Sequence, residues 1–207
     1  MKKLSLLIAA IMLLLCLCAC GGTDKLPIIE DGSDGAQQNE AKEPPTRETV
    51  AGTYSGDVYE NGYMSYKFTK PSDWEYSSEE DIAALFDGAG LDDSSFCDMM
   101  VIDSATGNNI NIIYTLTDES DIDGYLERSE EEIKQLGDRL GMTSEFSAHE
   151  NVKLGNVNCT RLEITSDYQG IAMYQACYAA YLDGVLMNIT VTINDGTPIE
   201  YFEAMFE

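Results

Sequence analysis

The sequence is poor in basic residues, with 12 lysines and arginines against 37 aspartates and glutamates and a formal charge of −25 over 207 residues. A chain of this charge repels nucleic acids and anionic lipid headgroups, so we expect it to bind neither. Its electrostatic field favours solubility and attracts cations and basic proteins. Most of the acids are expected to form a solvated coat rather than a specific site.

Histidine is almost absent, and the sequence motifs of common enzymes are missing. The single histidine, His149, excludes metal sites that take two histidines from one chain. We find no Gly-x-Ser-x-Gly motif, no phosphate-binding loop and no Gly-x-Gly-x-x-Gly motif. A thiol at Cys97, Cys159 or Cys177 could act as a nucleophile with His149 as its base. Nothing in the sequence around these cysteines supports that pairing, and buried, inert thiols are expected instead.

Aromatic residues are missing from residues 21–52, which carry seven acids, three bases and three prolines. Such a composition cannot bury enough apolar surface to offset the entropy of ordering, so we predict a disordered tether. A flexible coil of this length spans roughly 30 Å. All tyrosines and phenylalanines and Trp74 follow residue 52, and residues 53–207 suffice for one domain with a sizeable core.

The amino terminus begins with Lys2 and Lys3 and continues as an apolar run from Leu4 to Ala19. This run is shorter than the roughly 20 residues of a membrane-spanning helix. Together with the small residue before Cys20, it is typical of a cleaved signal. The segment resembles a bacterial lipoprotein signal, and an uncleaved anchor is the alternative. The resemblance implies a signal peptide over residues 1–19 and a lipid on the thiol of Cys20. It also implies export to the outer face of the cytoplasmic membrane or elsewhere in the cell envelope.

Turn signals and hydrophobic periodicity divide the rest of the chain into strands and helices. Asn61-Gly62 is typical of a tight turn between two strands, and the alternation of Met64, Tyr66 and Phe68 predicts a buried face on the second strand. The predicted elements are strands 54–60 and 63–68, a helix from Ser78 to Gly88, strands 99–103 and 110–115, a helix over 122–140, strands 157–165, 171–182 and 185–193, and a helix whose first residue is Pro198, capped by Thr197. The helical residues expected to face inward are Ile82, Leu85 and Phe86, then Ile122, Tyr125, Leu126, Ile133, Leu136 and Leu140, and finally Ile199, Phe202 and Phe206.

The last three strands are predicted to form an antiparallel meander. Asp183-Gly184 is typical of a two-residue turn, which places Tyr178 opposite Ile189. Leu162 and Ile164 on the neighbouring strand are expected to lie on the same face as Tyr178.

Two cysteines are predicted to meet in this meander. A loop over 166–170 centred on Tyr168 places Cys159 directly opposite Cys177. Export permits a disulfide between them. The alternative is two free thiols in contact beneath a covering helix.

The order of strands and helices predicts an α+β fold, with an antiparallel sheet of about six to seven strands and helices packed on it. The segment Tyr66-Lys67-Phe68, followed by Pro71 and Trp74, is similar to the opening of PsbP/Mog1-like domains. The resemblance implies an α/β/α sandwich over residues 53–207 and packing roles for Phe68 and Trp74. It also implies an accessory or binding role rather than a shared catalytic centre. No photosystem or GTPase partner is carried over.

The loop before the long helix holds acids in the order of a calcium site. Residues 119–130 place acids at positions one, three, five and twelve of an EF-hand-like loop, with glycine at position six. Position four is the apolar Ile122, and a strand precedes the loop where an EF-hand has a helix. The alternative needs no metal, because Ser120 or Asp121 can cap the helix. The candidate calcium ligands are Glu119, Asp121, Asp123 and Glu130.

Three functions follow from these patterns. The favoured one is a non-enzymatic, membrane-tethered binding or accessory domain for a protein or small-molecule ligand, with no catalytic residue and no cofactor. The alternatives are a calcium-dependent surface module and a hydrolase with paired carboxylates, although acids are too abundant here for their spacing to be informative. Tyr54, Tyr59 and Tyr76 near Trp74 are candidates for an exposed binding surface, and packing into the core is their alternative role.

Overall fold

The computed structural model describes residues 43–86 and 94–207. The helices in this part of the chain are α1 (Arg47–Val50), α2 (Glu79–Phe86), α3 (Ile122–Leu140) and α4 (Ile199–Glu203). The strands are β1 (Thr53–Ser55), β2 (Val58–Asn61), β3 (Tyr66–Thr69), β4 (Glu75–Tyr76), β5 (Ser95–Ile102), β6 (Asn109–Leu116), β7 (Met142–Leu154), β8 (Val157–Tyr168), β9 (Ile171–Leu182) and β10 (Val185–Ile193). They form two antiparallel sheets, β1-β2-β3 and β4-β5-β6-β10-β9-β8-β7. The helices pack on these sheets, which confirms the predicted α+β fold.

Helix α3 covers one face of the larger sheet, and its bounds agree with the predicted ones. Asp121 caps its start by accepting a hydrogen bond of 3.0 Å from the backbone N–H of Gly124. Gly141 ends it in the left-handed conformation, with a φ of 71°. The main buried residues between helix and sheet are Tyr125, Leu126, Ile133, Leu162, Ile164 and Met173.

The opposite face of the larger sheet is covered by the smaller sheet and by α4. Phe68 is fully buried, and its ring centroid lies 5.0 Å from that of Phe206. The ring of Trp74 lies 5.9 Å from that of Phe202. Burial of one such side chain contributes about 1.5–3 kcal/mol. The packing roles predicted for Phe68 and Trp74 are confirmed.

The hairpin between β9 and β10 has the predicted register, with Tyr178 opposite Ile189. Asp183 and Gly184 have φ angles of 45° and 89°, and a two-residue turn of type I′ needs positive φ at both positions.

The hairpin between β8 and β9 differs from the prediction. It closes through Gln169-Gly170, whose φ angles of 55° and 83° allow a two-residue turn in place of the five-residue loop that we predicted. Leu162 therefore lies opposite Cys177, where Cys159 was predicted. An odd shift in register exchanges the two faces of a strand. The prediction that Leu162 and Ile164 share the face of Tyr178 is therefore wrong, because both pack under α3.

The first hairpin also differs from the prediction. The first predicted strand is split by a turn at Gly56-Asp57 into β1 and β2, and β2 joins β3 through residues 62–65 instead of an Asn61-Gly62 turn. Asn61 at the end of β2 is fully buried, and its side chain joins two backbone segments by hydrogen bonds. Its Nδ2 donates to the carbonyl of Val50, and its Oδ1 accepts from the backbone N–H of Met64, both at 2.8 Å.

The folded domain begins before residue 53, the predicted boundary. Thr46 caps α1 by accepting a hydrogen bond of 3.3 Å from the backbone N–H of Thr49, and Val50 is fully buried in the main core. Part of the predicted tether over 21–52 is therefore packed on the domain. The predicted signal 1–19, Cys20 and the tether up to residue 42 lie outside the described residues.

Helix α2 starts as predicted, but fewer of its apolar side chains are buried than expected. The hydroxyl of Ser78 accepts a hydrogen bond of 3.1 Å from the backbone N–H of Asp81. Phe86 is buried, whereas Leu85 points to solvent, so the inward role predicted for Leu85 is wrong. Gly88, the predicted helix end, lies outside the described residues.

The ends of the other two helices need small corrections. Leu140 is the last residue of α3 and is exposed, so its predicted inward role is also wrong. Pro198 precedes α4 as its cap instead of being its first helical residue, while Phe202 and Phe206 are buried as predicted. Over residues 43–86 and 94–207, no helix is long and apolar enough to cross a membrane.

Candidate functional site

Three of the four predicted calcium ligands, Glu119, Asp121 and Glu130, are engaged in other contacts. Asp121 caps α3, and Asp123 lies in the first turn of the same helix. Oε1 of Glu119 lies 2.5 Å from Nη2 of Arg128. Glu130 forms an ion pair with Lys134, one turn further along the helix. Among the described residues, no group of three or more His, Cys, Asp or Glu side chains is placed to share an ion. The structure therefore confirms the helix cap and does not gather the four acids around one point.

The cysteines are separated by the β8–β9 register. Cys159 lies in the core beneath the smaller sheet, and Cys177 lies on the opposite face beneath α3. Both are free, in agreement with the free-thiol alternative, but the predicted contact between Cys159 and Cys177 is wrong, because Cys177 lies opposite Leu162. Burial raises the pKa of the Cys97 and Cys159 thiols to about 12 and that of Cys177 to about 11. None of the three hydrogen bonds with His149 in the described structure.

The tyrosines predicted as a binding surface mostly pack into the domain. Tyr59 is fully buried, and its ring meets that of Tyr54 edge-on at 5.3 Å. Tyr54 is half-exposed and meets Tyr76 edge-on at 5.0 Å. The hydroxyl of Tyr54 donates to the carbonyl of Asp98, and that of Tyr76 to the carbonyl of Asp57. The structure supports the packing role for all three.

A cleft of about 430 Å³ lies on the face of the larger sheet opposite α3, beside the start of α4. The alternation of side chains along the strands brings Thr165 of β8, Tyr174 of β9 and Ile193 of β10 to its floor. The chain that leaves β10 forms one wall, where Pro198 and Ile199 lie.

A cluster of charged side chains continues from the cleft along β8. The guanidinium of Arg161 lies between two carboxylates, with Nη2 at 2.5 Å from Glu163 and Nη1 at 2.6 Å from Glu203. The hydroxyl of Tyr178 donates to Glu203 at 2.7 Å. Nε of Arg161 is buried without a hydrogen-bond partner in the described structure. Partial burial opposes the charge of Arg161, but its contacts with Glu203 and Tyr178 raise its pKa overall.

His149 and Tyr174 complete this cluster. Nε2 of His149 lies 3.3 Å from Oε1 of Glu163. Burial raises the pKa of Tyr174, as does the negative charge of Glu163, with which its hydroxyl forms a hydrogen bond. Tyr174 therefore joins the apolar cleft to the charged cluster.

The cleft opens onto an acidic sheet surface. Glu145 and Ser147 of β7 and Asp167 of β8 lie on the same face as Glu163 and are exposed, because α4 and the smaller sheet cover only the other half of this face. The carboxylates of Glu163 and Glu203 outnumber the guanidinium of Arg161, so these three side chains carry a formal charge of −1. Sequence reasoning missed this site. Its one local signal is the alternation of polar residues along β8.

No protein-family model matches the chain, and no curated protein matches it. Among solved structures, cyanobacterial PsbP (CyanoP) from Synechocystis sp. PCC 6803 is 11% identical with a TM-score of 0.50, over 82% of this chain and 98% of that one. LpqN, involved in cell envelope biogenesis of Mycobacterium tuberculosis, is 14% identical with a TM-score of 0.39, over 68% and 77%. A Bacteroides thetaiotaomicron structure is 14% identical with a TM-score of 0.42, over 69% of this chain, which spans only 44% of that one. The likeness to CyanoP supports a PsbP-like fold for this chain.

Proposed function

We propose that the chain is a non-enzymatic binding or accessory domain, exported and held at a membrane by lipid on Cys20, and that the cleft beside α4 is its ligand site. The observation that carries the proposal is the continuity of the apolar cleft with the fixed ion pairs of Arg161, Glu163 and Glu203. An apolar concavity with a few converging polar groups is the usual form of a ligand site.

The chemistry of the cluster favours binding over proton transfer. A general acid or base works best when its pKa lies near the operating pH. Here the pKa values of Tyr174 and Tyr178 are raised, mainly by burial, and that of Arg161 is raised by its contacts, so these groups keep their protons at neutral pH. The thiols are equally unsuited to act as nucleophiles, because their raised pKa values leave little thiolate.

The anchor is tested by fractionating bacteria that express the full chain and its Cys20→Ser variant. We expect the wild-type chain in the membrane fraction and the variant released from it, with unchanged thermal unfolding. Cys18→Ser is the matched control, since Cys18 leaves with the signal and its loss should change nothing. Membrane retention of Cys20→Ser would contradict the proposed anchor.

The calcium-dependent alternative rests on residues 119–130 and remains a prediction. Calorimetry of the purified chain with calcium chloride tests it, and the ion pair between Glu119 and Arg128 leads us to expect no binding heat. Saturable heat that is lost in Asp123→Asn would favour the alternative.

A further inference from the structure

We propose that the cleft beside α4 takes a small organic cation that combines an apolar body with one ammonium group. The inference rests on the proposed function, because it assigns a ligand class to the same site. It follows from three properties of the cleft: its lining, its charge and the engagement of its one guanidinium.

The lining selects an apolar body of modest size. Ile193 closes the floor and is buried at the base of the cleft, while the ring of Tyr174 and the side chains of Pro198 and Ile199 surround it. A volume of about 430 Å³ suits a small molecule.

The charge selects a cation. Glu163 and Glu203 exceed Arg161 by one formal negative charge, and Tyr174, which hydrogen bonds with Glu163, also lines the cleft. Exposed Glu145 and Asp167 add negative charge on the open side. The formal charge of −25 on the whole chain raises the local concentration of cations and steers them towards such a cleft.

The engagement of Arg161 disfavours an anionic ligand. Its Nη1 and Nη2 atoms already contact Glu203 and Glu163, and its Nε is buried. An anion would have to displace a carboxylate from the guanidinium, whereas a single ammonium group would balance the cluster.

Calorimetric titration of the full chain, solubilised in detergent, tests the inference with three probes that share a phenyl body. These are 2-phenylethylamine, the neutral 2-phenylethanol and the anionic phenylacetate. We expect saturable binding of the amine only, weakened by added salt. Glu163→Gln should weaken amine binding at least tenfold or so, because it removes one charge of a partly buried cluster. Glu131→Gln removes the same charge from the exposed face of α3 and should leave binding within about twofold of wild type.

A second variant covers the case in which Glu163→Gln does not fold. Thr165 is exposed on the floor of the cleft, so Thr165→Lys supplies an internal ammonium group and should abolish amine binding without loss of thermal stability. The inference is overturned if the amine does not bind, if phenylacetate binds equally well, or if both variants bind like wild type. These results leave the lipid on Cys20 untouched, so failure of the ligand class is distinguishable from failure of the proposed anchor.

Discussion

The carboxylate of Asp98 accepts a hydrogen bond of 2.6 Å from the hydroxyl of Tyr59, which is fully buried. The same oxygen accepts a hydrogen bond of 2.7 Å from the backbone N–H of Gly52. Asp98 lies at the β-bulge between Cys97 and Met99, which breaks the alternation of β5. One carboxylate thus joins the larger sheet to the smaller sheet and to the segment that follows α1.

This arrangement predicts that Asp98→Ala lowers the free energy of unfolding by about 3 kcal/mol, since two donors lose their acceptor. Urea denaturation measures the change. Asp73→Ala is the control, because Asp73 is exposed, and a change within about 0.5 kcal/mol is expected there. Equal stability of the two variants would show that the carboxylate does not hold the domain together.

The buried tyrosines predict a loss of stability at alkaline pH. The hydroxyls of Tyr66 and Tyr114 lie 2.7 Å apart, and burial raises the pKa of both, as it does for Tyr59. The pKa of each of these tyrosines is thus higher in the folded state than the unfolded value near 10. The stability that each protonated tyrosine contributes is therefore complete below about pH 10 and declines as the pH rises towards the folded pKa. The decline is about 1.4 kcal/mol per pH unit for each such tyrosine. Urea denaturation across this range checks the slope, which Tyr201→Phe at an exposed position should not alter. A flat profile above pH 10 would contradict this account.

A buried amide predicts a stabilising substitution. Asn111 is 1% exposed, and neither its Oδ1 nor its Nδ2 has a hydrogen-bond partner in the described part of the protein. A buried group left unpaired costs about 1–3 kcal/mol, so Asn111→Leu should raise the free energy of unfolding by about 1 kcal/mol. Asn188→Leu is the matched control. Nδ2 of Asn188 donates to the hydroxyl of Tyr125 at 2.8 Å, so its loss should destabilise the domain. Destabilisation by both variants would mean that the Asn111 amide has a partner.

The separation of Cys159 and Cys177 predicts two protected but reduced thiols. Both are buried, and their raised pKa values leave little thiolate, so alkylation should be slow in the folded protein. Unfolding in denaturant should expose both to complete alkylation without a reductant, as read by peptide mass spectrometry. A requirement for reductant would contradict the β8–β9 register.

The sequence could predict registers only where the turn was recognised. Asp183-Gly184 is a common two-residue turn, and the pairing of Tyr178 with Ile189 that it predicts is confirmed. Gln169-Gly170 is an uncommon two-residue turn, because glutamine seldom adopts the positive φ that it has here. That single turn moved Leu162 and Cys177 into register and exchanged the two faces of β8.

The candidate site could not be predicted for a related reason. Arg161 meets Glu203 across 42 residues of sequence, so their contact depends on the β8–β9 register and on where α4 packs. The caps of α2 and α3 were predictable, because Ser78 and Asp121 act on backbone groups within three residues. Hydrogen bonds between neighbouring residues can be predicted from the local sequence, whereas ion pairs between distant elements can be predicted only when the fold is known.

Mass spectrometry of the native protein tests the central claim most directly. If the chain is an exported, lipid-anchored binding domain, its amino-terminal peptide begins at Cys20 and carries the mass of a diacylglycerol thioether. An intact Met1, or an amino terminus at Cys20 without added lipid, would contradict the proposed location and function.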